Sequence, residues 1–266
     1  ACWPARRADP MFPIRDDNPQ LLTPFATWAL VALNIAAWAL LEGLGSQPAL
    51  ARAVCTLGLV PGELFGGAPP GSTLPLAPGI ECVIGTVGNP LTLLTHMFLH
   101  GGWMHLIGNL WFLWIFGNNV EDAMGAGRFV AFYLLCGLAA AAAQILSNPD
   151  AVVPMVGASG AIGGVMGAYV VLFPRVNVHM LFWFGFYVTT FAVPAFWMLG
   201  YWFLVQMLGG FNSLGAEGGG TAFWAHVGGF GAGALLVRLF VNRRLLEGHP
   251  YHGWRHPAAG AWRRLR

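Results

Sequence analysis

The chain of 266 residues is 56% hydrophobic and only 9% charged, with a mean hydropathy of +0.61 and a formal net charge of +2. Soluble domains carry about 25% charged residues, so the composition excludes an ordinary water-soluble globule and makes the lipid bilayer the expected solvent and partner. No nucleic-acid partner is expected, and the apolar residues gather in blocks suited to a hydrocarbon core that needs about 20 of them per helix.

In chain order, residues 1–10 have no periodicity and are set aside, and 1–23 form an N-terminal segment ahead of the first apolar block, 24–41. A loop over 42–89 follows, rich in Pro and Gly and long enough to suggest a task of its own. Its apolar stretches 57–60 and 64–65 are expected to rest on the membrane surface. It carries Cys55 and Cys82, which an oxidising outer compartment would allow to pair. Cys136 lies inside an apolar block and reads as a small core residue.

Five further blocks cover 91–116, 129–146, 158–173, 193–208 and 222–241. Between the fourth and fifth blocks, 176–191 is aromatic-rich but interrupted by Asn177, His179 and Gly185, and reads as an interfacial or partly inserted segment rather than a seventh span. All 13 basic residues are Arg. Six spans place Arg6, Arg7, Arg15, Arg128, Arg175 and those from Arg238 to Arg266 on one side, leaving only Arg52 on the other. Short segments rich in positive charge stay cytoplasmic, so both termini are expected in the cytoplasm. The expected layout is a membrane domain over 24–241 and an Arg-rich tail over 242–266, whose His249, His252 and His256 are expected to be solvated.

Polar side chains are expensive inside apolar spans and mark function there. Those present are Asn34, His96, His100, His105, Asn109, Gln144, Ser159, Gln206 and His226. His105 and Asn109 are four apart and share a helix face, as do His96 and His100. Ser159 and His226 fall in the first turns of their spans, roughly 3 to 10 Å below the outer boundary at 1.5 Å per residue. His105 and Asn109 start deeper along the second block, so convergence requires a tilt or an outward shift of that helix. Ser159 stands in Gly157-Ala158-Ser159-Gly160, at a helix N-terminus whose free amides stabilise an oxyanion. His226, followed by Gly229 and Gly233, supplies the base that a serine nucleophile needs, on a helix small enough on one face for close approach. Taken singly, a Gly-x-Ser-Gly string or a lone membrane His is more simply structural.

Together, Gly157-Ala158-Ser159-Gly160, Ala225-His226 with Gly229 and Gly233, His100-x4-His105-x3-Asn109 and Glu121-x3-Gly125 resemble the rhomboid intramembrane serine proteases. The resemblance implies an all-α polytopic membrane protein, a six-transmembrane-helix rhomboid-type bundle. It implies Ser159 as nucleophile and His226 as general base in a dyad without aspartate. His105 and Asn109 would form the oxyanion hole with the Ser159 backbone N–H. His100, Gly157, Gly160, Gly229 and Gly233 take structural roles, with Glu121 and Arg128 as a packing or ion-pair feature. Substrates would be transmembrane proteins cut near the outer face, in a bacterial inner membrane, with neither cofactor nor metal. The chain departs from the family at Leu91 and Thr92, where many members have Trp-Arg. It departs again at Gly163, where an aromatic often stacks on the catalytic His; Tyr169 and Trp224 are the candidates for replacing that ring.

A catalytically silent rhomboid-like protein that binds or delivers membrane clients is the alternative, but such relatives typically lack the serine or the histidine, and both are present. A small transporter would place ionisable residues or broken helices near the midplane. No His-Glu-x-x-His zinc motif occurs, and Gly-Ala-Ser-Gly-Ala is not the Gly-x-Ser-x-Gly elbow of soluble hydrolases.

Overall fold

The computed structural model describes residues 11–64, 67–69, 71–85, 88–213 and 221–251. Strand β1 (Met11–Asp16) leads to α1 (Phe25–Leu40), and the loop beyond it holds α2 (Gln47–Leu57), α3 (Pro61–Leu64) and the hairpin β2 (Thr73–Ala77) and β3 (Ile80–Val83). Then come α4 (Thr92–Thr95), α5 (Trp103–Met124), α6 (Ala126–Ser147) and α7 (Ser159–Leu172). Strands β4 (Asn177–Phe184) and β5 (Tyr187–Pro194) precede α8 (Ala195–Ser213), α9 (Phe223–Phe240) and α10 (Arg243–Glu247).

Six longer helices fall on the six apolar blocks. Two of them, α6 and α9, are both long and apolar enough to cross a membrane, with mean hydropathies of 2.1 and 1.3. Helices α1 and α7 are apolar but shorter, at 16 and 14 residues. The expectation of an all-helical chain needs correction, because strands occur at two places. Residues 176–191 do not form a span: they build a β4–β5 hairpin turning at Gly185, whose φ of +59° suits glycine, and β1 pairs antiparallel to β4 with Met11 opposite Phe182. The Tyr169 hydroxyl donates to Asp16 Oδ2 at 2.5 Å, tying this sheet to α7.

The second block is also not one helix. Its first part is α4 and a single 3-10 turn, the chain breaks at Gly101-Gly102, and α5 runs on to Met124. Glycines favour such a break because they have the most conformational freedom to lose in a helix.

Helix α7 is the centre of the bundle. It packs most extensively on α9 and is buried over nearly its whole length. Small residues let the two backbones touch, as between membrane helices generally. A methyl group on Gly229 would collide with the Gly160 carbonyl, one on Gly233 with the Gly164 carbonyl, and one on Gly167 with the Phe230 carbonyl. Gly164 also makes room for the buried Cys136 of α6, the small core residue expected there.

At the opposite end of the bundle from Ser159, Glu121 and Asp122 anchor the start of α1 and the segment before it. The Glu121 carboxylate accepts from the backbone amides of Ala26 and Thr27 at 2.9 and 2.8 Å and from the Thr27 hydroxyl at 2.8 Å. It thus satisfies amides at the start of α1 that have no partner within the helix. Asp122 accepts from Leu21 and Leu22. Arg128 donates instead to the Val241 carbonyl at 3.2 Å, so the expected pairing of Glu121 with Arg128 is replaced by two separate helix anchors.

Within the loop after α1, Cys55 and Cys82 are joined in a disulfide between α2 and β3. Leu59 and Val60 do not lie on the membrane surface as expected. Leu59 packs with Ala141 and Ile145 of α6, and Val60 with Ala68, Cys82 and Ile84. Phe65, His252 and His256 lie outside the described residues. His249 is buried against Phe173, with ring centroids 4.6 Å apart, because α10 folds back on the bundle rather than trailing into solvent.

Candidate functional site

Ser159 is the first residue of α7 and His226 the fourth of α9. Glycine-mediated contact of these helices brings Ser159 Oγ to 2.8 Å from His226 Nε2. The start of α9 is fixed by Gln144 of α6, whose Oε1 accepts from the Ala225 amide at 3.2 Å. A methyl on Gly160 would meet Ala140 Cβ at 2.6 Å, so glycine there lets α6 close under the serine.

His105 and Asn109 converge on the same end of the bundle. No shift of a longer helix is required, because α5 begins at Trp103 and puts both residues in its first two turns. His105 Nδ1 accepts from the Gly101 amide at 3.3 Å. With Nδ1 accepting, neutral His105 carries its proton on Nε2. That Nε2–H lies beside Gly157: a Cβ there would sit 2.8 Å from His105 Nε2 and 3.5 Å from Ser159 Oγ. Gly157 has φ of +132° and room for no side chain, so both its conformation and its surroundings demand glycine. Its amide donates to the His96 carbonyl at 2.8 Å. Asn109 is 8% exposed and its Nδ2 has no partner among the described residues. A buried, unsatisfied donor costs about 1–3 kcal/mol, and Asn109 Nδ2 shares that condition with Trp38 Nε1 and Trp224 Nε1.

His100 does not join the cluster through its ring. Its backbone amide donates to Glu42 Oε1 at 2.7 Å, one residue before the amide that orients His105. The two imidazoles meet edge-on, with centroids 5.2 Å apart. His96 turns to its own helix, with Nδ1 2.7 Å from the Thr92 carbonyl. Glu42 is fully buried, and sequence reasoning had treated it only as the first residue of a loop.

Two further residues flank His226, and neither was assigned to the site from sequence. Gln206 of α8 places Oε1 2.8 Å from His226 Nδ1. Trp202, one turn earlier on α8, sets its ring 5.7 Å from the imidazole at an interplanar angle of 38°. The expected substitutes for an aromatic at position 163 are elsewhere. Tyr169 packs on Phe116 and Phe173, and Trp224 on Phe211, because their helix positions face away from the imidazole. A Cβ on Gly163 would itself be 3.2 Å from the His226 carbonyl, so a side chain there would require α9 to give by a few tenths of an ångström.

A Ser–His pair beside oriented donors, in a bundle of apolar helices, coincides with the similarities found among known proteins. The model of the Rhomboid domain matches residues 88–243. The chain belongs to the rhomboid family. Over 199 residues, or 74% of its length, it is 32% identical to the rhomboid protease GluP of Bacillus subtilis (strain 168). It is 29% identical over 155 residues, 56% of its length, to rhomboid protein 1, mitochondrial, of Saccharomyces cerevisiae, and 32% identical over 144 residues, 53% of its length, to rhomboid-like protease 5 of Toxoplasma gondii. These stretches span 38%, 41% and 15% of the three relatives. The chain thus spans less than half the length of each of these relatives. No group of three or more His, Cys, Asp or Glu side chains able to hold a metal occurs among the described residues.

Glu42, just beyond the end of α1, gives this rhomboid a pH-dependent element. Burial raises its carboxyl from 4.5 to about 7, opposed by the His100 amide. The fold therefore favours the protonated form, and this contribution to stability is present in full below the ordinary carboxyl range and is lost as pH rises through 7. Thermal unfolding in detergent is expected to show a lower midpoint at pH 8 than at pH 5, and Glu42→Gln, which keeps the acceptor without the charge, to reduce that drop. An undiminished drop in the variant would remove Glu42 as its source.

Proposed function

We propose that the chain is an intramembrane serine endopeptidase that cleaves transmembrane-helix substrates near the outer face of the membrane, with Ser159 as nucleophile and His226 as general base. The observation that carries the reading is the 2.8 Å contact between Ser159 Oγ and His226 Nε2 at adjoining helix ends. His226 Nε2 takes the Ser159 proton as Oγ attacks the substrate carbonyl carbon. The tetrahedral oxyanion is held by the Ser159 amide, His105 Nε2–H and Asn109 Nδ2. Collapse breaks the C–N bond, and the imidazolium returns its proton to the leaving amine. Water, deprotonated by the same imidazole, then releases the acyl group from Ser159. Each side-chain donor to the oxyanion is worth about 2.7–4 kcal/mol in soluble serine proteases.

In liposomes with a single-span substrate, Ser159→Ala and His226→Ala are expected to abolish cleavage while leaving the thermal midpoint in place. Asn109→Ala is expected to slow it about 10²–10³-fold, as removal of an oxyanion donor does elsewhere. Full activity in the Ser159 variant would sink the mechanism; inactivity of the wild type on several substrates would favour the client-binding alternative.

The same reading includes six crossings, with the sheet end of the bundle and both termini in the cytoplasm of a bacterial cell and the disulfide-bearing loop outside. A reporter fused after Arg266 is expected to report the cytoplasm, and a periplasmic signal would break the six-span arrangement.

A further inference from the structure

We propose that Gln206 is a positioning residue for His226: its side-chain carbonyl holds the imidazole Nδ1–H, so that Nε2 faces Ser159 as an unprotonated base. The inference rests on the serine-protease reading and adds a third member to its dyad. A neutral imidazole has one donor and one acceptor nitrogen. An acceptor 2.8 Å from Nδ1, here Gln206 Oε1, selects the tautomer with hydrogen on Nδ1 and leaves the Nε2 lone pair directed at the Ser159 hydroxyl, also 2.8 Å away. When Nε2 receives the serine proton, the resulting imidazolium keeps Nδ1–H on the amide oxygen, and the contact strengthens as charge develops. No proton passes to Gln206, which differs from a carboxylate partner by supplying orientation without a full counter-charge.

Gln206 is only 8% exposed, so its amide is held away from competing water. Trp202 lies four residues earlier on α8 and therefore on the same helix face. One side of α8 thus supplies both the acceptor for Nδ1 and an aromatic neighbour for the ring. On α7, Gly163 adjoins the His226 backbone and has no ring to offer the imidazole. Orientation of the base has therefore passed to α8, which accounts for the missing aromatic at position 163.

The test combines ¹⁵N-histidine NMR of the full chain in lipid with cleavage kinetics across pH, for wild type, Gln206→Leu and Gln206→Glu. The His226 resonances are identified by their loss in His226→Ala. Wild type is expected to show hydrogen on Nδ1 of neutral His226, and Gln206→Leu a mixture of tautomers. Gln206→Leu should lower kcat at least about tenfold, within the usual contribution of a positioned base, with KM changed less than twofold. Gln206→Glu should restore most of kcat and move the acid limb of kcat/KM to higher pH, because a carboxylate stabilises the imidazolium. Hydrogen on Nε2 in wild type, or an unchanged tautomer in Gln206→Leu, overturns the proposal, as does a kcat loss that Gln206→Glu does not relieve. The NMR readout needs no turnover, so failure of the protease reading would appear separately, as cleavage that does not depend on Ser159.

Discussion

Direct backbone contact between α7 and α9 is the constraint on which the site depends. Without side chains at Gly167, Gly229 and Gly233, the two helices approach until carbonyls of one occupy the places where methyl groups of the other would stand. Lipid gives apolar helices little hydrophobic reason to associate, so close van der Waals packing must supply the attraction. The same packing fixes the axial register of the helices, and with it the height of Ser159 relative to His226. A larger residue at any of these positions would separate the partners of a 2.8 Å contact, as well as weakening the fold.

Several buried or half-buried polar side chains serve backbone amides that the helices leave unsatisfied. Glu121 and Asp122 serve the approach to α1, Gln144 serves the start of α9, and Glu42 holds the segment that orients His105. In an apolar medium an unmade hydrogen bond is costly, and these acceptors remove part of that cost. Asn109 Nδ2 is among the buried side-chain atoms left without a partner among the described residues, as are Trp38 Nε1 and both ring nitrogens of His100; in the proposed mechanism an oxyanion would complete it.

Much of this was legible in sequence. Five of the six apolar blocks match helices to within a few residues, because long uncharged runs have few other outcomes in a bilayer. Ser159, His226, His105 and Asn109 could be nominated because polar residues at helical spacing stand out in apolar segments, and the structure brings them to one end of the bundle. The break at Gly101-Gly102 was less visible, since hydropathy does not register a turn, and the misplaced helix start put His105 too deep. The β4–β5 hairpin was hidden because its residues are as apolar as a span, and its pairing with β1 is non-local. Gln206 was noticed as a polar residue, but its partner lies 20 positions away on another helix. The burial of Glu42 carried no signal in a one-dimensional pattern.

The central claim, that His226 activates Ser159, can be reached without knowing any physiological substrate. A fluorophosphonate reacts covalently with an activated serine hydroxyl, and mass spectrometry of the labelled protein in lipid identifies the residue modified. The account predicts modification at Ser159 in the wild type and its loss in His226→Ala. Modification elsewhere, or equal labelling of Ser159 without the imidazole, would contradict it.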